Sequence, residues 1–356
     1  MQTTPYLEVD LDRLAHNLTS KTAQLKAHGI AHRPHIKTHK STLLGKMQLE
    51  AGVSGITASK LGEAEVFFNA GFDNILIAYN LVGRDKLARY ADMHRERSLL
   101  TTVDSAFIAE GLSDVGLSTG KKVRVLVELN LGENRCGVRL QEVSDFALLL
   151  RRYEGLEVAG AMAYHGAINR CSNEADIISA VKEERDALLH ARSVLQKAGH
   201  PASITSSGST VASCYPTHLA GVTESRSGSY VFGDVSTLTT GALTLPECAL
   251  FAVATVISLP APDRATLDLG SKVLSSDRAD RGGFGLIVDK PSAEILSLNE
   301  EHAMVQCNNE AFELGERVRI IPNHTCVAIN LAPALYGFQK GTFVRTFPVE
   351  ARGLYR

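Results

Sequence analysis

Lys37 lies in Arg33-Pro-His-Ile-Lys-Thr-His-Lys40, with a histidine two residues to either side, His35 and His39. A lysine amine is a nucleophile only after losing its proton, against an ordinary pKa of about 10.4. Positive charge from Arg33, Lys40 and the two histidines, with partial burial, is expected to lower that value and free the lone pair for condensation with an aldehyde. Lysine-rich loops after strands are also ordinary solvated surface, so the assignment needs support from elsewhere in the chain.

Two short runs of small and hydroxyl residues offer it: Ser206-Ser-Gly-Ser-Thr210 and Arg226-Ser-Gly-Ser-Tyr230. Such residues let backbone N–H groups converge on an anion and add hydroxyl donors, so Ser209, Thr210, Gly228 and Ser229 read as a phosphate cradle. Each run alone is weak evidence. A reactive lysine and two such loops together ask for a ligand with one aldehyde and one phosphate, which is pyridoxal 5'-phosphate. Arg135, in Asn130-Leu-Gly-Glu-Asn-Arg-Cys-Gly-Val138, suits a hydrogen bond to that cofactor's phenolic oxygen; its alternative is a surface ion pair with Glu133. Tyr164 and His165 are candidates for packing on the pyridine ring or reaching its nitrogen. Strand side chains alternate, so only one of the two faces straight inward.

A second motif is Ile321-Pro-Asn-His-Thr-Cys326. On an extended strand, His324 and Cys326 at i and i+2 project to one side. Imidazole nitrogen and thiolate sulfur suit zinc, and two protein ligands leave positions open, as a catalytic site requires. A bare His-x-Cys is more often a buried cysteine beside a capping histidine. Glu300-Glu-His302 is expected to add polar acceptors near the pair.

These residues need elements to position them. Strand-like runs fall near residues 30–37, 54–58, 74–79, 99–103, 122–130, 158–164, 202–205 and 222–225. Helical patterns lie between them, at 42–51, 61–70, 86–94, 140–152 and 174–198, after an opening helix at 11–28 with Asp10 as N-cap. Eight strand–helix repeats predict a TIM-type (β/α)8 barrel over residues 11–240. A doubly wound sheet is disfavoured, because no Gly-x-Gly-x-x-Gly turn follows the first strand. Lys37, Arg135, Tyr164 and the two Gly/Ser loops then all fall at strand C-terminal ends, where barrel chemistry gathers.

After about residue 241 helical periodicity fades. Strand-like segments follow at 249–258, 265–268, 283–288, 294–297, 317–322 and 342–349, separated by Pro, Gly and Asp. Residues 241–356 therefore predict a C-terminal all-β domain carrying the metal pair, with residues 1–10 as a possible added strand.

The chain has 356 residues, 44% hydrophobic and 21% charged, with a net charge of -2. It carries no basic stripe, which disfavours nucleic acid as a partner. Six scattered cysteines predict reduced thiols in a cytoplasmic protein. The start lacks the pattern of a signal peptide, and the longest apolar run, residues 248–259, is too short to span a bilayer.

The chain resembles the D-serine dehydratase / D-threonine aldolase group of fold-type III pyridoxal-phosphate enzymes, which are related to alanine racemase. The resemblance runs from Thr4-Pro-Tyr-Leu-Glu-Val-Asp-Leu-Asp12 to Pro348-Val-Glu-Ala-Arg-Gly353. Its sharpest markers are Arg33–Lys40, Lys60-Leu-Gly-Glu-Ala-Glu65, Gly270-Ser-Lys-Val-Leu-Ser-Ser-Asp277 and Pro322-Asn-His-Thr-Cys326. It implies a barrel plus β-domain and a head-to-tail homodimer in which each β-domain helps close the partner's active site. It also implies a Schiff base on Lys37, phosphate contacts at Ser209, Thr210, Gly228 and Ser229, Arg135 near the phenolic oxygen, Tyr164 near the ring, and metal on His324 and Cys326.

Within that group, dehydratases resemble His-x-Cys with zinc, whereas aldolases carry His-x-Asp with a harder ion such as manganese. Aldolases also tend to carry a histidine soon after the Tyr-His-Gly segment, where this chain has Ile168, Asn169 and Arg170. Both features lean toward dehydration of a β-hydroxy D-amino acid such as D-serine, D-threonine or D-threo-3-hydroxyaspartate, giving a 2-oxo acid and ammonia. Lys37 is then the base for the α-proton and the metal-bound hydroxyl is the leaving group. The alternatives are retro-aldol cleavage to glycine and an aldehyde, and racemisation or epimerisation, for which Tyr336 is a possible second base.

Overall fold

The computed structural model describes residues 2–171, 173–278 and 283–356. The described chain runs from a strand, β1 (Tyr6–Asp10), into a helix, Leu11–Ala27. Asp10 caps that helix, its Oδ1 accepting the N–H groups of Asp12 and Arg13 at 3.1 and 3.0 Å. Eight strands follow: β2 (Ala31–His32), β3 (Ile56–Ala58), β4 (Ile75–Ile77), β5 (Leu100–Val103), β6 (Val123–Leu129), β7 (Leu156–Ala163), β8 (Ile204–Ser207) and β9 (Glu224–Ser225). All pair in parallel, in the order β2-β9-β8-β7-β6-β5-β4-β3. The ring closes where His35 bridges Thr57 and the Thr57 N–H donates to the Pro34 carbonyl at 2.8 Å. This is the expected barrel.

Both faces of such a sheet are covered, so its strands read as apolar runs rather than alternating ones. β5 is buried throughout, and β6 is buried except at Arg124. Leu76, Leu100, Leu126, Ala159 and Met162 form one core cluster of this unit. The connecting helices match the expected periodic stretches, at Thr42–Glu50, Leu61–Asn69, Arg84–Glu96, Val143–Leu150 and Glu174–Lys197. A further helix, Ala106–Thr119, is capped by Ser105 and runs so close to the turn before β7 that a Cβ on Gly116 would meet the Gly155 carbonyl oxygen at 2.0 Å.

Contacts divide the chain into two compact units: 21–37, 45–228 and 354–356 form the barrel unit, and 1–20, 38–44 and 229–353 form the other. The second unit is built on β1 with β10 (Leu250–Ala261), β11 (Arg264–Leu267), β12 (Leu286–Ile287), β13 (Glu294–Leu298), β14 (Ala303–Gln306), β15 (Arg317–Ile321), β16 (Ala334–Gln339) and β17 (Thr342–Pro348). Their order is β13-β14-β11-β10-β1-β16-β17, with β15 pairing β10 and β12. Every pairing is antiparallel except that of β1 with β16. Cys248, Phe251 and Ile321 form its buried centre, packed by Val235, Leu238, Leu286 and Val288.

Three local expectations are corrected. Strand β2 stops at His32, and Lys37 sits in a single 3-10 turn, Ile36–Thr38, because Pro34 removes a donor from the ladder. The β-unit is not purely strand: it holds the helix Thr325–Leu331, and the His-x-Cys pair lies at that helix's start rather than on a strand. The strands β14 and β16 were not anticipated.

Candidate active site

Lys37, Arg135, Tyr164, Ser209, Thr210 and Gly228 all follow the C-terminal ends of barrel strands. Lys37 is exposed, and its backbone N–H lies 3.5 Å from His35 Nδ1. The expected surrounding charge is engaged elsewhere. Arg33 is buried, with Nε 2.9 Å from Glu224 Oε2 and Nη1 2.7 Å from Asn74 Oδ1. Lys40 Nζ donates to Asn330 Oδ1 at 2.7 Å, and His39 Nδ1 accepts the Ser41 N–H at 3.1 Å. The expected partial burial of Lys37 is likewise not found, since the residue is exposed.

At the end of β2, His32 is 3% exposed and bonded on both ring nitrogens, to Thr22 Oγ1 at 3.0 Å and Ser227 Oγ at 2.8 Å. Burial, helped by the nearby Lys21 charge, pushes its pKa down to about 3, so it is a neutral structural strut.

The two Gly/Ser loops meet. Gly228 N–H donates to Thr210 Oγ1 at 3.2 Å, which joins two of the residues expected to share a phosphate. Ser209 Oγ accepts the Ala212 N–H at 2.9 Å. Ser229 opens the next turn, its carbonyl accepting from Gly233 N–H at 2.8 Å. Glu184, fully buried, ties the base of the first loop by accepting from Ser207 Oγ at 2.6 Å, Gly208 N–H at 2.8 Å and, through its other oxygen, His165 N–H at 3.0 Å. Burial pushes its pKa up against those bonds. Arg226 crosses behind the loops, donating to the Ser206 and Ala163 carbonyls at 2.6 and 2.7 Å. Glu184, Glu224 and Glu128 oppose the downward push that burial exerts on its pKa.

Arg135 stacks on Tyr164, its guanidinium carbon 5.5 Å from the ring centre. The ion pair weighed against this role goes to a different residue: Glu133 pairs with Arg170 at 3.3 Å. The Tyr164 hydroxyl accepts from Asn169 Nδ2 at 2.7 Å, and burial raises its pKa. His165 Nε2 lies 3.3 Å from Glu183, while its buried Nδ1 has no hydrogen-bond partner among the described residues. The rim thus offers a lysine, a hydroxyl-lined two-loop cradle and an arginine–tyrosine pair, a set that fits an aldehyde-bearing aromatic phosphate.

In the other unit, His324 is the N-cap of Thr325–Leu331 and Cys326 its second residue. Crossing from cap to helix brings the two side chains together as a strand would. The Cys326 sulfur, hydrogen-bonded to the half-exposed His324, raises the imidazole pKa to about 9 against partial desolvation, with Asp234 and Asp277 adding to the pull. Cys326 Sγ also lies 3.3 Å from Thr38 Oγ1. The helix start is fixed by Asp234, whose Oδ2 accepts both the N–H and Oγ1 of Thr325 at 3.2 Å. An imidazole beside a cysteine sulfur is a donor set that fits zinc. Among the described residues no three His, Cys, Asp or Glu side chains gather as a larger metal-binding group.

The acid found on His324 is Asp277, 3.3 Å from Nδ1, and not a residue of Glu300-Glu-His302. Glu301 instead pairs with Lys272 at 2.5 Å. Sequence reasoning assigned no role to Asp277, Asn323, Asp234, Glu184 or Arg226. Asp277, Asn323 and Arg226 do lie inside quoted motifs, which was the available signal. No disulfide joins any of the six cysteines, and among the described residues no helix is long and apolar enough to cross a membrane.

Two family descriptions match the chain: alanine racemase, N-terminal domain, over residues 9–236, and putative serine dehydratase domain, over residues 249–338. The chain is 31% identical over 363 residues to a D-threonine aldolase from an Arthrobacter species, covering 99% of this chain and 93% of the relative. It is 30% identical over 366 residues to a D-threo-3-hydroxyaspartate dehydratase from a Delftia species, covering 97% and 96%. The crystal structure of a D-threonine aldolase from Filomicrobium marinum matches with a TM-score of 0.91 at 28% identity, covering 99% of this chain and 97% of that one. Solved structures of a D-threo-3-hydroxyaspartate dehydratase, also at a TM-score of 0.91, include two alanine variants. One replaces a histidine, and the other replaces the cysteine two positions later and is described as metal-free.

Proposed function

This chain belongs to the alanine-racemase-type family whose members join that N-terminal domain to a serine dehydratase domain, and from this we propose that it is a lyase of β-hydroxy D-amino acids. We assign pyridoxal phosphate to Lys37, Arg135, Tyr164, Ser209, Thr210, Gly228 and Ser229. A divalent metal, zinc ahead of manganese, is assigned to His324 and Cys326. When bound, pyridoxal phosphate supplies an electron sink for the substrate's α-carbon, and the metal supplies a Lewis acid for its β-hydroxyl.

The remaining work falls to the chain's own groups. Thr210 and Gly228, bonded to each other, bind and orient the phosphate. Arg135 and Tyr164 fix the plane of the ring. The Lys37 amine holds and moves the proton at the substrate's α-carbon. Dehydration then releases the β-hydroxyl and ends in a 2-oxo acid and ammonia.

The observation that carries the dehydratase reading is the placing of the Cys326 sulfur beside His324 at the start of Thr325–Leu331. A soft sulfur donor favours zinc, and zinc held there would supply a Lewis acid that eases loss of the substrate's β-hydroxyl. The aldolase reading is favoured by the Arthrobacter relative, and in it the same hydroxyl loses a proton while the Cα–Cβ bond breaks. The protein is expected to act as a homodimer.

The deciding experiment supplies D-serine, D-threonine and D-threo-3-hydroxyaspartate to the cofactor-loaded protein with zinc or manganese, and measures ammonia, 2-oxo acid, glycine and aldehyde. Ammonia with 2-oxo acid supports dehydration. Glycine with aldehyde replaces it by the aldol reading, and no product from any of the three overturns the lyase assignment.

A further inference from the structure

We propose that Asp277 is the positioning residue of the metal site: it accepts the Nδ1–H of His324 and so presents Nε2 as the coordinating nitrogen. The inference rests on the assignment of a metal to His324 and Cys326. Asp277 Oδ2 lies 3.3 Å from His324 Nδ1. An imidazole that donates through one nitrogen to a carboxylate is held in one tautomer and one ring orientation, with the lone pair of the other nitrogen directed away from the carboxylate.

The main chain that carries this carboxylate is held from both sides. Asn323, directly before His324, is 4% exposed and donates Nδ2 to the Asp277 carbonyl at 2.8 Å and to the Gly283 carbonyl at 3.1 Å. The residue next to the proposed ligand therefore grips the backbone of the residue proposed to orient it. On the other side, Ser275 Oγ accepts the Asp277 N–H at 3.2 Å. Ser275 itself is buried with a φ of 70°, a region that disfavours any residue with a Cβ. A chain held in that conformation beside two anchoring bonds is over-determined, as expected where a side chain has to be aimed.

Two other roles for Asp277 fit less well. As a third metal ligand it would join His324 and Cys326 in one donor group, yet no such group of three forms among the described residues. As a surface ion pair it would need no buried asparagine holding its main chain.

The test uses the full-length, cofactor-loaded protein and zinc. Zinc affinity is measured by chelator competition for the parent, Asp277→Ala, the isosteric Asp277→Asn, and Glu301→Gln as a control acid on the same unit. Loss of an outer carboxylate on a ligating histidine typically weakens metal binding roughly 10- to 100-fold. That loss is expected for Asp277→Ala, and at least part of it for Asp277→Asn. The melting temperature of the zinc-free protein should match the parent's for Asp277→Asn, and Glu301→Gln should bind zinc as the parent does. Histidine-selective 15N spectra of the zinc-loaded parent should show the metal-shifted nitrogen of His324 at Nε2.

Metal on Nδ1, or affinities for both Asp277 variants within about twofold of the parent, overturns this inference and leaves the metal pair standing. A parent that binds no zinc removes the metal pair and this inference together.

Discussion

His32 links the barrel's stability to pH in a way that can be measured. Its folded pKa is about 3, against an ordinary value of 6.5, because burial excludes the charged ring. Between those two values the unfolded chain binds a proton that the folded chain refuses. Stability therefore falls as pH drops below 6.5 and is fully present above it. At about pH 5 the gap is roughly 1.5 pH units below the unfolded value, which at about 1.36 kcal/mol per unit costs about 2 kcal/mol. The perturbation is His32→Gln, which retains hydrogen bonding to Thr22 and Ser227 but does not titrate. Urea unfolding of parent and variant at about pH 7.5 and about pH 5 yields four free energies. At the higher pH the variant should be the less stable, by about 1 kcal/mol for imperfect bonds. On moving to the lower pH the parent should lose about 2 kcal/mol more than the variant does. Equal losses would show that His32 titrates normally and that the buried-strut account is wrong.

Other perturbations probe the rim and the packing beneath it. Arg33→Ala takes from the buried Glu224 its ion pair, leaving the Ser206 bond and the nearby Arg226 charge, and should cost about 3 kcal/mol of unfolding free energy, more than loss of a surface pair. Gly116→Ala drives a Cβ to within 2.0 Å of the Gly155 carbonyl and should destabilise by about 1–3 kcal/mol or more, read as a lowered melting temperature. Lys37→Ala should abolish both turnover and the yellow absorbance of the cofactor-loaded protein, and an unchanged spectrum would remove Lys37 from the site. Excess chelator should stop turnover while leaving that absorbance in place; full activity in chelator would take the metal out of the reaction.

Much of the fold is local in origin. The barrel strands were readable because each is a short aliphatic run closed by Gly, Pro or polar residues. A strand buried on both faces needs no partner-specific code. The helix starts at Asp10 and Asn173 follow from side chains that cap the backbone three residues on. The strands β14 and β16 were not foreseen, because four to six residues of mixed polarity gain their state only from the sheet that receives them.

The site residues divide the same way. Sequence alone determined which reactive types sit at strand ends and that a histidine and a cysteine stand two apart. It misjudged what surrounds them, since Arg33, expected to activate Lys37, is spent on Glu224, 191 residues away. Likewise the His-x-Cys pair was expected on a strand, but Asp234, 91 residues earlier, caps a helix there instead. The joining of Thr210 to Gly228, the stacking of Arg135 on Tyr164 and the hold of Asp277 on His324 were all decided by tertiary structure. The physical reason is one of range. Backbone propensity and apolar periodicity act between near neighbours, whereas the partner of a desolvated charge is whichever group the fold brings beside it.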